Sequence, residues 1–327
     1  MGFMRYYNRF RQFGGFRLLK DYKRLGLLSL FLKEIIRGKS FRDIYSNVQK
    51  QIEPYLIEKY YPLLLERKAY YNSLELEHKR SKYVWFCWLQ GLEQAPPIVK
   101  ACYTSLRQHL KEREIVVITE NNWREYVDFP EHIISRWKSN QIPPAHFSDL
   151  LRLQLLIKYG GTWIDATVLC TGTEHSKAYL DSDFFLFQYR EPSTSSVSFE
   201  GISNWYITSC TNNEILYVLR DMLCAYWKDY DCTLYYFLFH LFFSMVAKEY
   251  PDSIANMPYG YSVWSHTLQR HWNESFSQKK WDKLTSIVDF HKLTYRVDEK
   301  IKEDKNNYYN WILRTIYKWS REYLEVG

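Results

Sequence analysis

The chain has only six cysteines in 327 residues, at positions 87, 102, 170, 210, 224 and 232, and no two of them form a C-x-x-C pair. That spacing excludes a zinc ribbon or finger and offers no disulfide framework, so reduced thiols in a cytosol are expected. No secretory signal peptide is expected either. Long apolar runs are also lacking. Leu25–Leu32 and Leu234–Ala247, the latter interrupted by His240, both fall short of the ~20 residues needed to cross a bilayer. There is no internal repeat and no low-complexity tract. Beyond residue 50 the chain has no cationic excess, with 32 Lys and Arg against 34 Asp and Glu, which argues against a nucleic-acid partner.

Aromatic residues are abundant, at 18% with 29 Tyr and 12 Trp. Such rings suit stacking on sugar C–H faces, although any core also uses them. The positive charge is concentrated at one end. Residues 1–50 hold twelve Lys and Arg against three acids, mixed with Phe3, Tyr6, Tyr7, Phe10, Phe13, Phe16, Leu18 and Leu19. Basic residues among aromatics and leucines fit a helix lying on an anionic membrane surface. An arm packed on the rest of the protein, or a dimer contact, would show the same pattern.

Residues 1–80 read as a helical basic arm with breaks at Pro54 and Pro62. Residues 81–200 alternate strand and helix, a nucleotide-binding half, and 201–297 mix helices and strands. The tail, 298–327, carries Tyr308, Trp311, Ile316, Trp319 and Tyr323 at helical steps and reads as an amphipathic helix. Leu234–Ala247 reads as a buried helix, with His240 a core histidine.

The most informative stretch is His146–Val168, HFSDLLRLQLLIKYGGTWIDATV. Pro143-Pro144 opposes helix upstream, Ser148 is a good N-cap, and Gly160-Gly161 supplies a left-handed stop. The helix between is apolar nearly all round and therefore buried. Asp149 and Arg152 lie on one face of it, as an i,i+3 ion pair or as ligand contacts. Thr162–Val168 alternates and reads as a strand delivering Asp165, and strand ends of open α/β sheets are where ligands bind. A carboxylate there suits a ribose hydroxyl or a divalent cation carrying a diphosphate, and equally a turn cap.

Three further segments supply candidates. Val84–Leu89 is apolar on both faces and reads as a central strand, so Trp85 or Trp88 stacks on a base or fills the core. Gln90-Gly91 follows, the glycine allowing close backbone approach to a ligand. Thr285–Phe290 reads as a strand with His291 and Lys292 at its end, suited to a metal and a diphosphate or to a plain loop. Asn204 and Trp205 follow the Pro192–Ser198 loop and, from the residues alone, read as a buried pair before a helix.

These motifs together resemble glycosyltransferase family 32, and especially its bacterial capsular polysaccharide synthesis branch. Ser148–Thr167 is similar to the S-D-x-x-R…Y-G-G-x-x-x-D-x-D core, Tyr83–Pro97 to the opening strand and W-Q-G-x-x-x-A-P turn, and Val99–Leu110 with Cys102 to the following helix. Glu114–Glu120 looks like the second strand and His291–Arg296 (HKLTYR) like the closing element, so the resemblance covers roughly residues 80–297.

The resemblance implies an α/β fold of GT-A type, a single Rossmann-like mixed sheet flanked by helices, with a catalytic domain over 81–297. It implies a retaining hexosyltransferase using a nucleotide sugar, by family habit UDP-linked, and a lipid-linked oligosaccharide acceptor. The enzyme would sit in the cytoplasm, peripheral at the inner face of the plasma membrane, with residues 1–50 on the anionic surface. Trp88, Gln90, Asp149, Arg152, Asp165, Thr167 and Lys292 would bind the donor, Asp165 and Asn204 would serve catalysis, and Trp205 would meet the acceptor. Asp165 and His291 would hold Mn2+ or Mg2+. The second acid of the D-x-D is here Thr167, a poorer ligand for a hard cation. The rival is a non-catalytic carbohydrate-binding or scaffold protein of the capsule machinery.

Overall fold

Val84, Trp85 and Phe86 are all fully buried, as a strand apolar on both faces requires, and they place β1 (Tyr83–Cys87) inside a sheet. The computed structural model describes residues 15–37, 41–189 and 201–324, with all side chains except those of 41, 42, 45 and 317–324. The first fourteen residues of the basic arm and the Pro192–Ser198 loop lie outside the described residues.

The chain divides into two compact units, each assembled from separated segments. One comprises Glu77–Val127, Leu155–Asn213 and the chain from Asp252 onward. Its five-stranded sheet has the order β2-β1-β3-β6-β5, with β2 at Glu114–Ile118, β3 at Gly161–Ile164, β5 at Phe184–Gln188 and β6 at Ile202–Ser209. β1 pairs parallel with β2 and β3, whereas β6 is antiparallel to both β3 and β5. This is the mixed sheet flanked by helices expected of a GT-A-type architecture. Because β2 and β3 lie on opposite sides of β1, the carboxyl end of β1 is a topological switch point, where a crevice opens. A two-stranded sheet pairs β4 (Val168–Cys170) with β7 (Phe290–Lys292), antiparallel.

The helix Pro97–His109 begins at a proline, where a missing N–H costs nothing. It buries Ile98, Val99, Ala101, Cys102 and Leu106 and packs on β4 and on the helix Tyr308–Leu324. That last helix buries Tyr308, Ile312 and Ile316, an amphipathic face at helical spacing.

Two expected strands are shorter and shifted. Thr162–Val168 is divided: β3 stops at Ile164, the Val168 amide bonds back to the Asp165 carbonyl at 3.0 Å, and β4 starts in the other sheet. The region expected as a strand at Thr285–Phe290 is the end of the helix Gln278–Thr285 followed by a turn, so His291 and Lys292 lie within β7.

The second unit comprises the segment up to Leu76, Asp128–Gln154 and Glu214–Pro251, and is helical. Its longest helix, Phe41–Asn72, continues through Pro54 and Pro62, contrary to the expected breaks. Ile44, Val48, Ile52, Leu56, Tyr60 and Leu64 recur every fourth residue and are all essentially inaccessible. Each internal proline costs about 3 kcal/mol, whereas burying each of these side chains returns roughly 1.5–3 kcal/mol, so the stripe outweighs the two prolines. Tyr60 and Tyr71 also donate from their hydroxyls to Asp229 and Asp221 of the helix Glu214–Asp229, at 2.9 and 2.8 Å. Leu234–Ala247 forms a helix only from Leu238, which runs to Glu249 and buries Phe239, Phe242 and Phe243.

The helix expected to start after Ser148 instead runs Pro144–Tyr159, with Pro144 as its first residue. Ser148 is thus internal, and its hydroxyl accepts from Arg152 Nη2 at 3.1 Å. The division between the two units falls within this helix.

Candidate functional site

The sheet unit gathers its chemistry just past the carboxyl ends of β1 and β3. Gly160 and Gly161, at φ +66° and +91°, turn the chain out of the preceding helix and into β3. β3 then runs through buried Thr162, Trp163 and Ile164 and is followed directly by Asp165, whose amide donates to the Trp205 carbonyl at 2.8 Å. Its carboxylate is held at both oxygens: Trp163 Nε1 donates to Oδ1 at 2.9 Å and Lys292 Nζ to Oδ2 at 2.8 Å. Trp163 precedes Asp165 by two, the spacing that puts side chains on one face of a strand.

Lys292 arrives from β7. Its register sets it opposite Val168, and the Leu293 amide extends the pairing to the Thr167 carbonyl at 2.8 Å. The ammonium donates to Thr167 Oγ1 at 2.8 Å as well as to Asp165, so one cation bridges the two side-chain positions of the D-x-T motif. An ammonium has three N–H donors. Two are used by these acceptors, and the Lys292 side chain keeps 19% exposure through which the third can meet a ligand.

His291 is a different matter. Neighbours on a strand face opposite sides. The His291 ring lies 3.1 Å from Thr171 Oγ1 through Nε2, is 1% exposed, and is not brought together with Lys292 beside Asp165. Burial pushes its imidazole down to about 4. Among the described residues, the group of three or more acids, histidines and cysteines close enough to hold an ion is Asp21, Asp231 and Cys232 of the helical unit. Of the two residues expected to hold Mn2+ or Mg2+, His291 is bonded to Thr171 and the Asp165 carboxylate is engaged by Lys292 and Trp163.

Trp88 continues the β1–β2 ladder through its amide to the Ile118 carbonyl at 3.0 Å. Its half-buried ring meets Tyr295 edge-on, with centroids 5.3 Å apart, and its indole N–H has no partner among the described residues. Gln90 is exposed, and the turn after it closes with the Gly91 amide on the Trp88 carbonyl at 2.9 Å. Trp85 is core, its indole N–H donating to the Gly160 carbonyl at 2.9 Å.

Asn204 and Trp205 lie inside β6. Asn204 is half-buried. Trp205 is 4% exposed and stacked on Phe187, with centroids 4.6 Å apart, so it is a wall of the core rather than an open platform for a sugar. Its contribution to the site comes from the backbone, as the acceptor for the Asp165 amide.

Sequence reasoning missed His266, whose position more than a hundred residues from Asp165 gave no local signal. Burial, then the charges of Lys292 and Arg270, push its imidazole down to about 4, so it is neutral at neutral pH. Its Nε2 lies 3.1 Å from the Tyr189 hydroxyl. Trp163 was also missed as a partner of Asp165, although the i,i+2 spacing on a strand pointed to it.

Asp149 and Arg152 belong to the helical unit and form the i,i+3 ion pair read from their spacing, at 3.1 Å and with 8% and 4% exposure. The Arg152 guanidinium also lies over the Phe239 ring, 5.8 Å from its centroid. Its charge adds to burial in pushing the His240 imidazole down to about 4.

Comparison with known proteins adds the following. No curated protein matches the chain. Among solved structures, the chain is similar to one described as "PaToxG Glycosyltransferase", with 13% identity over 71% of this chain and 92% of that one and a TM-score of 0.37, too distant a likeness to support an argument. A family model described as "Capsular polysaccharide synthesis protein" matches residues 33–312, which include both glycines, Asp165, Thr167 and Lys292. With most of its length matched by that model, the chain belongs to the capsular polysaccharide synthesis protein family.

Proposed function

We propose that the protein is a retaining glycosyltransferase that moves a hexose or N-acetylhexosamine from a nucleotide sugar, UDP-linked in the first instance, to a lipid-linked saccharide. The observation that carries this reading is the Asp165–Lys292–Thr167 cluster at the switch point of the parallel strands. An oriented carboxylate suits ribose or sugar hydroxyls, and a cation with a donor to spare suits the charge that develops on a departing diphosphate. In the reaction, the bond from the anomeric carbon to the diphosphate oxygen breaks while the acceptor hydroxyl bonds to that carbon on the same face. The acceptor's proton passes to the departing diphosphate. Asn204, half-buried in β6, and the indole N–H of Trp88 are further candidates for polar contact with the sugar nucleotide.

A donor screen tests the reading. Full-length protein is incubated with UDP-Gal, UDP-Glc, UDP-GlcNAc, UDP-GalNAc and GDP-Man, with and without a lipid-linked acceptor, and nucleoside diphosphate release is followed. One donor is expected to turn over. Saturable sugar binding with no release from any donor would instead favour a carbohydrate-binding or scaffold protein.

We also propose that the basic end of the chain attaches the enzyme to the inner face of the plasma membrane. Phe16, Leu32, Ile35 and Ile36 are exposed apolar residues, with Lys20, Lys23, Arg24 and Lys33 exposed on the same two short helices, Phe16–Arg24 and Leu28–Ile36, and Arg37 exposed just past the second. No helix among the described residues is long and apolar enough to cross a membrane. Replacing Lys20, Lys23 and Arg24 with alanine should weaken binding to phosphatidylglycerol vesicles on the order of a hundredfold, from roughly 1 kcal/mol per cation. Unchanged co-flotation would exclude this surface as the anchor.

A further inference from the structure

We propose that Lys292 takes the place of a divalent cation in this site, so that the diphosphate of the donor is bound, and its departing charge neutralised, without a metal ion. The proposal rests on the transferase reading above.

Three observations support it. First, Nζ occupies the ground between Asp165 Oδ2 and Thr167 Oγ1, 2.8 Å from each, the two side chains that a D-x-D motif would turn toward a metal. Second, the other Asp165 oxygen is taken by the Trp163 indole, and the nearby histidine of β7 is directed to Thr171. A hard cation needs several oxygen ligands, and here one committed carboxylate and one hydroxyl would have to serve while an ammonium repels the ion. Third, the threonine falls where its presence is consistent with the lysine. A second carboxylate would attract a divalent ion, whereas a hydroxyl accepts one hydrogen bond from an ammonium and leaves the cluster uncharged overall. A phosphate that meets the third N–H of Lys292 finds a fixed, oriented cation held on a strand by two acceptors.

The test is calorimetric titration of the full-length protein with UDP and GDP, in EDTA and in excess Mn2+. Under the proposal one nucleotide binds with the same Kd in both media, to within about threefold, and Lys292→Met weakens it by about tenfold or more in both. Lys292→Gln provides a second, polar replacement should the methionine variant fold poorly, and the wild-type comparison needs no variant at all. Tightening by about tenfold or more on adding Mn2+ to the wild type would overturn the proposal and leave the transferase reading standing. Wild-type affinity in both folded Lys292 variants would also overturn it. Binding of neither nucleotide in either medium would overturn it together with that reading.

Discussion

Asp165→Asn is expected to lower nucleotide-sugar turnover by about 10²- to 10³-fold with little change in fold, the range found when one oriented electrostatic contact is removed from an active site. The amide is the same size as the carboxylate, and its oxygen can still accept from the Trp163 indole, so the β3 turn and the Asp165 amide bond to the Trp205 carbonyl survive. What is lost is charge. The ammonium of Lys292 keeps only Thr167 as an acceptor and either swings toward solvent or faces an NH2 group. A ligand that relied on a held cation and an oriented carboxylate loses both together. Measurement of kcat/KM with the best donor, alongside a melting curve, decides the matter. Activity within about threefold of wild type in a folded variant would remove Asp165 from the chemistry.

The second large effect concerns stability. Gly161→Ala is expected to destabilise the sheet unit by about 2–5 kcal/mol, as left-handed strain of roughly 1–2 kcal/mol adds to an overpacking cost of roughly 1–3 kcal/mol. A Cβ at this position, with φ at +91°, would lie well inside the van der Waals contact distance of the Tyr83 carbonyl oxygen and 3.0 Å from the Tyr83 Cβ. Neither neighbour can yield, because Tyr83 is the first residue of β1 and is paired with β2. Gly91→Ala is the natural comparison. It has a similar φ of +81° but no atom within 4 Å of the added carbon, so only the strain applies. Thermal melts should place Gly161→Ala well below Gly91→Ala, by several degrees per the usual 2–4 °C for each kcal/mol in domains of this size. Equal melting temperatures would mean that β1 and β3 can separate at no cost.

Much of this was legible because local chemistry and tertiary demand agree around β3. A helix apolar all round, two glycines, a β-rich run and one acid locate Asp165 without knowledge of any partner. The basic arm's helices and the closing amphipathic helix were readable for the same reason. Boundaries were less so. Pro54 and Pro62 are local vetoes overruled by a six-residue buried stripe, and Pro144 proved to be a first helical residue rather than the end of a break. The choice between His291 and Lys292 was illegible in principle. Two adjacent residues on a strand exchange faces with a one-residue shift of register, and that register is decided by pairing with Val168–Cys170, more than a hundred residues away. Trp205 illustrates a related difficulty. Its composition suited a sugar platform, but alternation along β6 turned it inward onto Phe187.

The contact between Lys292 and Asp165 spans 127 positions of sequence. During synthesis at about 5–20 residues per second, the strand bearing the acid is therefore made roughly 6–25 seconds before the residue that neutralises it. Throughout that interval the chain has Asp165 but not the ammonium that the finished site sets 2.8 Å from it. On the function proposed above, competence for the donor is thus a late event in the life of each chain, timed by the arrival of a single strand.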